Sequence, residues 1–132
     1  MYKTILCAIE ASKEGRQVLG KAAELAKACN AKLVVIHVIA YTLLPKDYQK
    51  ALTDEVSPKF NKIADSFSIS KKNRVIKVGK PYDLVCREAK KRKADLIVLG
   101  THSKKGIQSL VGSTANGVVN YAKCDVTLVR IA

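Results

Sequence analysis

Five short, almost solid apolar runs punctuate this chain, and a stretch of helical periodicity separates each from the next. The runs are Lys3–Ile9, Lys32–Ile39, Arg74–Val78, Asp95–Leu99 and Asp125–Ile131. Strands apolar on both sides, rather than alternating, belong to parallel sheets covered on both faces. Between the first two, Val18, Leu19, Ala22, Leu25, Ala26 and Cys29 recur at helical spacing behind Ser12, an N-cap residue, and ahead of Asn30, a fair helix terminator. Tyr48, Leu52, Val56, Phe60, Ile63 and Phe67 predict a second helix, which Pro58 should kink or interrupt. Pro81 at a first helical position opens a third helix, with Asp83 in its first turn and Lys90–Lys93 at its end. Ile107, Leu110, Val111, Thr114, Val118, Val119 and Ala122 mark a fourth, beginning somewhere in 107–113. Strands alternating with helices over short connections predict an α/β domain with a parallel sheet and right-handed crossovers.

At 132 residues the chain is long enough for one domain with one core, here 1–132. A hydrophobic content of 48% favours folding over disorder. No apolar run approaches the roughly 20 residues of a membrane helix. The N-terminal run is too short for a signal peptide, so the expected location is cytoplasmic and no membrane is expected as a partner. Cys7, Cys29, Cys86 and Cys124 show no C-x-x-C spacing and predict free thiols.

The formal charge of +13 favours anionic partners. Twelve Lys/Arg fall between Lys71 and Lys105 against three acids. Only 5% of residues are aromatic and they do not interleave with the basic run, which argues against a stacking platform for nucleic acid.

In open parallel sheets, ligands bind beyond the carboxyl ends of the strands where the winding reverses. The loops after Ile9, Ile39 and Leu99 meet there. The last is the richest: Gly100-Thr-His-Ser-Lys-Lys-Gly106, followed by Gly112-Ser-Thr at the opening of a helical pattern. Glycines permit close approach of the backbone, and N–H groups at a helix start attract anions. No zincin, nucleophile-elbow or Walker A pattern occurs, so catalysis is not expected. His37, inside a buried run, is expected as a core histidine; His102, in the loop, is the better candidate for a polar contact.

These pieces, in this order, resemble the universal stress protein family. The resemblance covers the opening Tyr2–Glu10, His37-Val38, Val78-Gly79-Lys-Pro, Ala94–Gly100 with its glycine loop, and Cys124–Arg130. It implies a Rossmann-like, adenine nucleotide alpha hydrolase-like fold, with five parallel strands in order 3-2-1-4-5, helices on both faces, and a homodimer. It also implies a small ATP-binding module acting as a stress-response switch, with Mg²⁺ as a possible companion of the nucleotide. The residues implicated are Ile9, Glu10, Ala11 and Ser12 after the first strand, and Val38, Ile39 and Ala40 beside adenine. In the third loop they are Gly100, Thr101, His102, Ser103, Gly106, Gly112, Ser113 and Thr114. The last strand should be a sheet edge, with Val126 and Leu128 at the dimer contact.

The chain departs from the family signature at three places. Glu10 replaces Asp, Ser103 stands at the second glycine, and the interval from Gly100 to Gly112 is one residue short. These departures define an alternative, an ATP-independent member acting through protein contacts. A nucleic-acid-associated basic protein is a further alternative.

Overall fold

The computed structural model describes residues 1–40, 45–102 and 113–131, with only the backbone of His102. The strands are β1 (Thr4–Ala8), β2 (Lys32–Ala40), β3 (Arg74–Gly79), β4 (Leu96–His102) and β5 (Asp125–Ile131). The helices are α1 (Lys13–Cys29), α2 (Lys46–Ser66), α3 (Pro81–Lys91) and α4 (Ser113–Tyr121), with a single 3₁₀ turn at Lys71–Asn73. All strand pairs are parallel, in the order β3-β2-β1-β4-β5. The expected topology is therefore the observed one.

Solid apolar strands are explained by the two cores they separate. Cys7, Val35 and Val98 face α1 and α2, and pack with Leu19, Ala22, Phe60 and Ala64. Leu6, Val34, Ile36 and Ile97 face α3 and α4, and pack with Val85, Ala89 and Val118. Successive strand residues thus point into opposite cores, and both must be apolar. Burying each of these larger aliphatic side chains contributes about 1.5–3 kcal/mol.

Local signals set the helix ends. The Ser12 hydroxyl accepts the Gly15 N–H at 3.2 Å, capping α1. Asn30 takes the left-handed conformation (φ 54°) and closes the same helix, its N–H donating to Lys27 at 3.2 Å. Pro81 occupies the first turn of α3, ahead of Asp83.

The second helix differs from expectation. It begins at Lys46 rather than Tyr48, and it runs through Pro58 without interruption. Pro58 is exposed, so its missing N–H falls on the solvent side of the helix, where water can satisfy the freed carbonyl. Burial of Phe60, Ile63 and Ala64 on the inner side holds the segment helical. The start of the fourth helical pattern, before Ser113, lies outside the described residues.

All four cysteines are free. Burial raises the thiol pKa of Cys7, Cys86 and Cys124, which makes them poor nucleophiles. Among the described residues no helix is long and apolar enough to cross a membrane.

Candidate functional site

The sheet winds in one direction through β1, β2 and β3, and in the other through β4 and β5. The reversal lies between β1 and β4, and a crevice must open beyond their carboxyl ends. A cavity of about 730 Å³ occupies this position, within the range of small-molecule sites. Its floor is apolar: Ala8, Ile36, Val38, Val85 and Leu99 come from β1, β2, α3 and β4. Its rim is polar, with Glu10 and Glu14 on one side and Thr101, Ser113, Thr114 and Asn116 on the other.

The turn after β1 is the most tightly specified part of the wall. Ile9 is bonded to β2 from both ends. Its N–H donates to the Ile36 carbonyl at 2.9 Å, and its own carbonyl lies 2.8 Å from His37 Nδ1. A carbonyl only accepts, so Nδ1 carries the proton and Nε2 is the acceptor in the neutral ring. The Ser12 N–H then donates to the Glu10 carbonyl at 2.9 Å, closing the turn into α1. Gly15 packs directly on that carbonyl, leaving no room for a Cβ. The chain is thereby fixed on both sides of Glu10, whose side chain is exposed on the rim.

Gly100, in β4, has a packing reason to be glycine independent of any ligand. A Cβ there would stand 2.5 Å from Ile131 Cδ1 and 2.7 Å from Val18 Cγ2. β5 and α1 therefore close over β4 at the cavity's edge. α4 is described from Ser113 onward; Ser113 is exposed and Thr114 beside it is half-buried.

Eight of the residues singled out from sequence line the cavity: Ile9, Glu10, Val38, Ala40, Gly100, Thr101, Ser113 and Thr114. Ala11, Ser12 and Ile39 are not among its lining residues. Ala11 packs against the α1/α2 core, Ser12 caps α1, and Ile39 pairs with Val78 of β3. The side chain of His102, and Ser103, Gly106 and Gly112, lie outside the described residues, as do Lys104 and Lys105.

His37 is half-buried and 6.3 Å from the Phe60 ring, consistent with a core-facing histidine, yet it also lines the cavity. Gly15 and His37 are wall residues whose role sequence reasoning missed, as are Glu14, Val85 and Asn116. A glycine in the first turn of a helix, where alanine is the better helix former, was the available signal for the first. Val126 is half-buried against the α3/α4 core, whereas Leu128 is 38% exposed on the edge strand. Among the described residues, no three His, Cys, Asp or Glu side chains cluster as a metal site.

The Universal stress protein family model matches residues 1–130. Universal stress protein A homolog 2 of Coxiella burnetii is 37% identical, in an alignment covering 98% of this chain and 96% of that relative. A solved universal stress protein in complex with cAMP superposes with a TM-score of 0.71 at 26% identity, covering 98% of this chain and 97% of the other. Universal stress protein UspA from Lactobacillus plantarum has the same fold, with a TM-score of 0.73, 24% identity and 98% coverage of both chains.

Proposed function

This chain belongs to the universal stress protein family, and we propose that it is an adenine-nucleotide binding module that signals by occupancy rather than turnover. The observation that carries this reading is the cavity at the β1/β4 reversal, with an apolar floor between two polar rims. A purine base fits the floor formed by Ala8, Ile36, Val38 and Leu99. The Glu10 carboxylate accepts hydrogen bonds from ribose hydroxyls. The N-terminal turn of α4, with the Ser113 and Thr114 hydroxyls, meets the phosphate. The similar protein solved with cAMP adds support for an adenine nucleotide as the ligand class.

ATP is the first candidate, with Mg²⁺ arriving on its phosphates rather than through a protein-built metal site. Occupancy would alter the surface around the cavity, and the altered surface would select partners in the cytoplasm. No residue is assigned a catalytic role.

Calorimetry at about 0.3 M salt, which screens exposed charge, tests the proposal with ATP–Mg²⁺ and with cAMP as separate titrants. Saturable binding is expected, lost in Glu10→Ala and in Gly112→Val. Chromatography of small molecules released from the denatured protein should recover an adenine nucleotide. Absence of binding by every adenine nucleotide, with none released, would overturn the reading in favour of the ATP-independent branch acting through protein contacts.

A further inference from the structure

The end of the sheet opposite the cavity carries a second surface. In a parallel sheet all strands start at one end, so the segments leading into β3 and β4 share it. Lys71 and Lys72 sit in the 3₁₀ turn that enters β3, and Lys90, Lys91 and Lys93 close α3 on the way to β4. Arg92 joins the two segments. Its Nε donates to Glu88 Oε2 at 2.6 Å, and its Nη1 donates to Asn73 Oδ1 at 3.5 Å. The five lysines are exposed, and none makes an ion pair among the described residues.

Acids at this end are already engaged. Asp65 holds Arg74 at 2.6 Å, and Glu88 holds Arg92. Asp95 accepts the backbone N–H groups of Lys3 and Thr4, and Asp125 accepts the Tyr2 hydroxyl at 2.7 Å. The α3 dipole accounts for Lys90 and Lys91 in its last turn, but not for Lys71, Lys72 or Lys93. Lys93 also holds a left-handed backbone (φ 54°), a conformation that glycine adopts at less cost. A lysine thus stands where the backbone favours glycine, beside four others without an ion pair among the described residues.

We propose that this face binds the phosphodiester backbone of duplex nucleic acid without reading its sequence. Lysine ammoniums are point charges suited to evenly spaced phosphates. Arginine forks, which fit carboxylate and phosphate alike, are engaged internally here at Arg74 and Arg92, so the outward charge of this patch is carried by lysines. The two lysine segments themselves carry no aromatic residue to stack an unpaired base, and the exposed Met1 at the same end is a lone apolar side chain rather than a lipid-binding face. The scarcity of aromatics that argues against single-strand binding leaves a backbone contact untouched.

Fluorescence anisotropy with a 20-base-pair duplex of mixed sequence, titrated between 50 and 200 mM salt, tests this. The logarithm of the affinity should fall with the logarithm of salt with a slope of about −3 to −5, roughly one phosphate per lysine. Replacing Lys71, Lys72, Lys91 and Lys93 by Glu should lower affinity at least tenfold at the lowest salt. A control of equal charge change (Glu at Lys13, Lys21, Lys46 and Lys50) should stay within about threefold of wild type. The double variant Lys71→Gln/Lys72→Gln, milder in its charge change, should weaken binding in the same direction, with folding checked by circular dichroism. Equal loss in patch and control variants would overturn the proposal, because net charge alone would then be acting. So would tighter binding to phosphatidylglycerol vesicles than to the duplex, or no duplex binding at 50 mM salt.

Discussion

The α-carbon of Gly15 rests on the carbonyl oxygen of Glu10, so the first turn of α1 and the end of the β1 loop share one contact. Ordinarily alanine stabilises a helix position relative to glycine by about 1 kcal/mol. Here a methyl group would overlap backbone, which cannot yield as a flexible side chain does. The steric term exceeds the propensity gain, and Gly15→Ala should lower stability by about 1–3 kcal/mol. The turn carrying Glu10 should shift as well. Urea denaturation measures the first effect, and weaker nucleotide binding in calorimetry measures the second. A variant as stable as wild type, with unchanged binding, would contradict this account of the turn.

Asp95 clips the start of β4 to the start of β1. Its Oδ2 accepts the N–H groups of Lys3 at 2.8 Å and Thr4 at 2.9 Å, while its own N–H donates to the Thr4 carbonyl at 2.8 Å. The backbone N–H bonds from Thr4 and Lys3 hold the Asp95 carboxyl below the usual carboxylate pKa. A pKa lower in the folded state means that the ionised form is favoured by folding. The resulting stability is present above the unfolded value of about 3.9 and is lost as pH falls through the folded one. Asp95→Asn should therefore have a lower urea midpoint than wild type at pH 7, and the gap should close as pH drops below 4. A gap that is constant with pH would show that the charge contributes nothing.

The parallel strands, their burial on both faces and the caps at Ser12 and Asn30 were legible because each rests on a local pattern: solid apolar runs, helical spacing and turn chemistry. The order 3-2-1-4-5 came from the family resemblance, since no local pattern says which strands are neighbours. The cavity floor was half legible. Val38 and Ala40 follow from strand position, whereas Val85 reaches the site from α3, whose approach depends on how the helix packs. Pro58 misled because a single residue does not reveal whether its missing N–H faces solvent or core. Gly100 illustrates a subtler limit. Read as a ligand-approach glycine, it is also required by Ile131 and Val18, residues distant in sequence that only the folded sheet brings together. The glycine loop itself, from Ser103 to Gly112, lies outside the described residues, so the two departures it carries, Ser103 and the short interval to Gly112, retain the standing that sequence gives them.

β5 pairs with β4 on one side and has no strand on the other among the described residues. An unpaired edge is a template for a second copy of the same strand. Leu128 is the cleaner probe of such a dimer, because it is exposed, whereas Val126 also packs against the α3/α4 core. Leu128→Lys places like charges across a two-fold contact and should yield monomers in sedimentation velocity without lowering the thermal midpoint of the monomer fold. Persistence of a wild-type dimer in this variant would move the contact elsewhere.

His37 offers a test of what positions the wall beneath the ligand. Its Nδ1–H meets the Ile9 carbonyl at 2.8 Å, one residue before Glu10. Removing the donor leaves a carbonyl of the buried Ile9 without this partner, a change costing about 1–3 kcal/mol. His37→Phe keeps the ring, and with it the contact to Phe60, but not the N–H. Asparagine presents an amide N–H close to the position of Nδ1 and sacrifices the ring. If the hydrogen bond matters more than the ring, His37→Asn should retain nucleotide binding within about threefold of wild type. His37→Phe should lose about tenfold, the equivalent of roughly 1.4 kcal/mol, because the Ile9–Glu10 turn then keeps the Ile9 N–H bond to β2 but loses the one to the Ile9 carbonyl. Calorimetry on the two variants, with thermal melts alongside, separates the alternatives. Better retention by Phe than by Asn would assign the role to ring packing against Phe60 and leave the hydrogen bond without a part in holding Glu10.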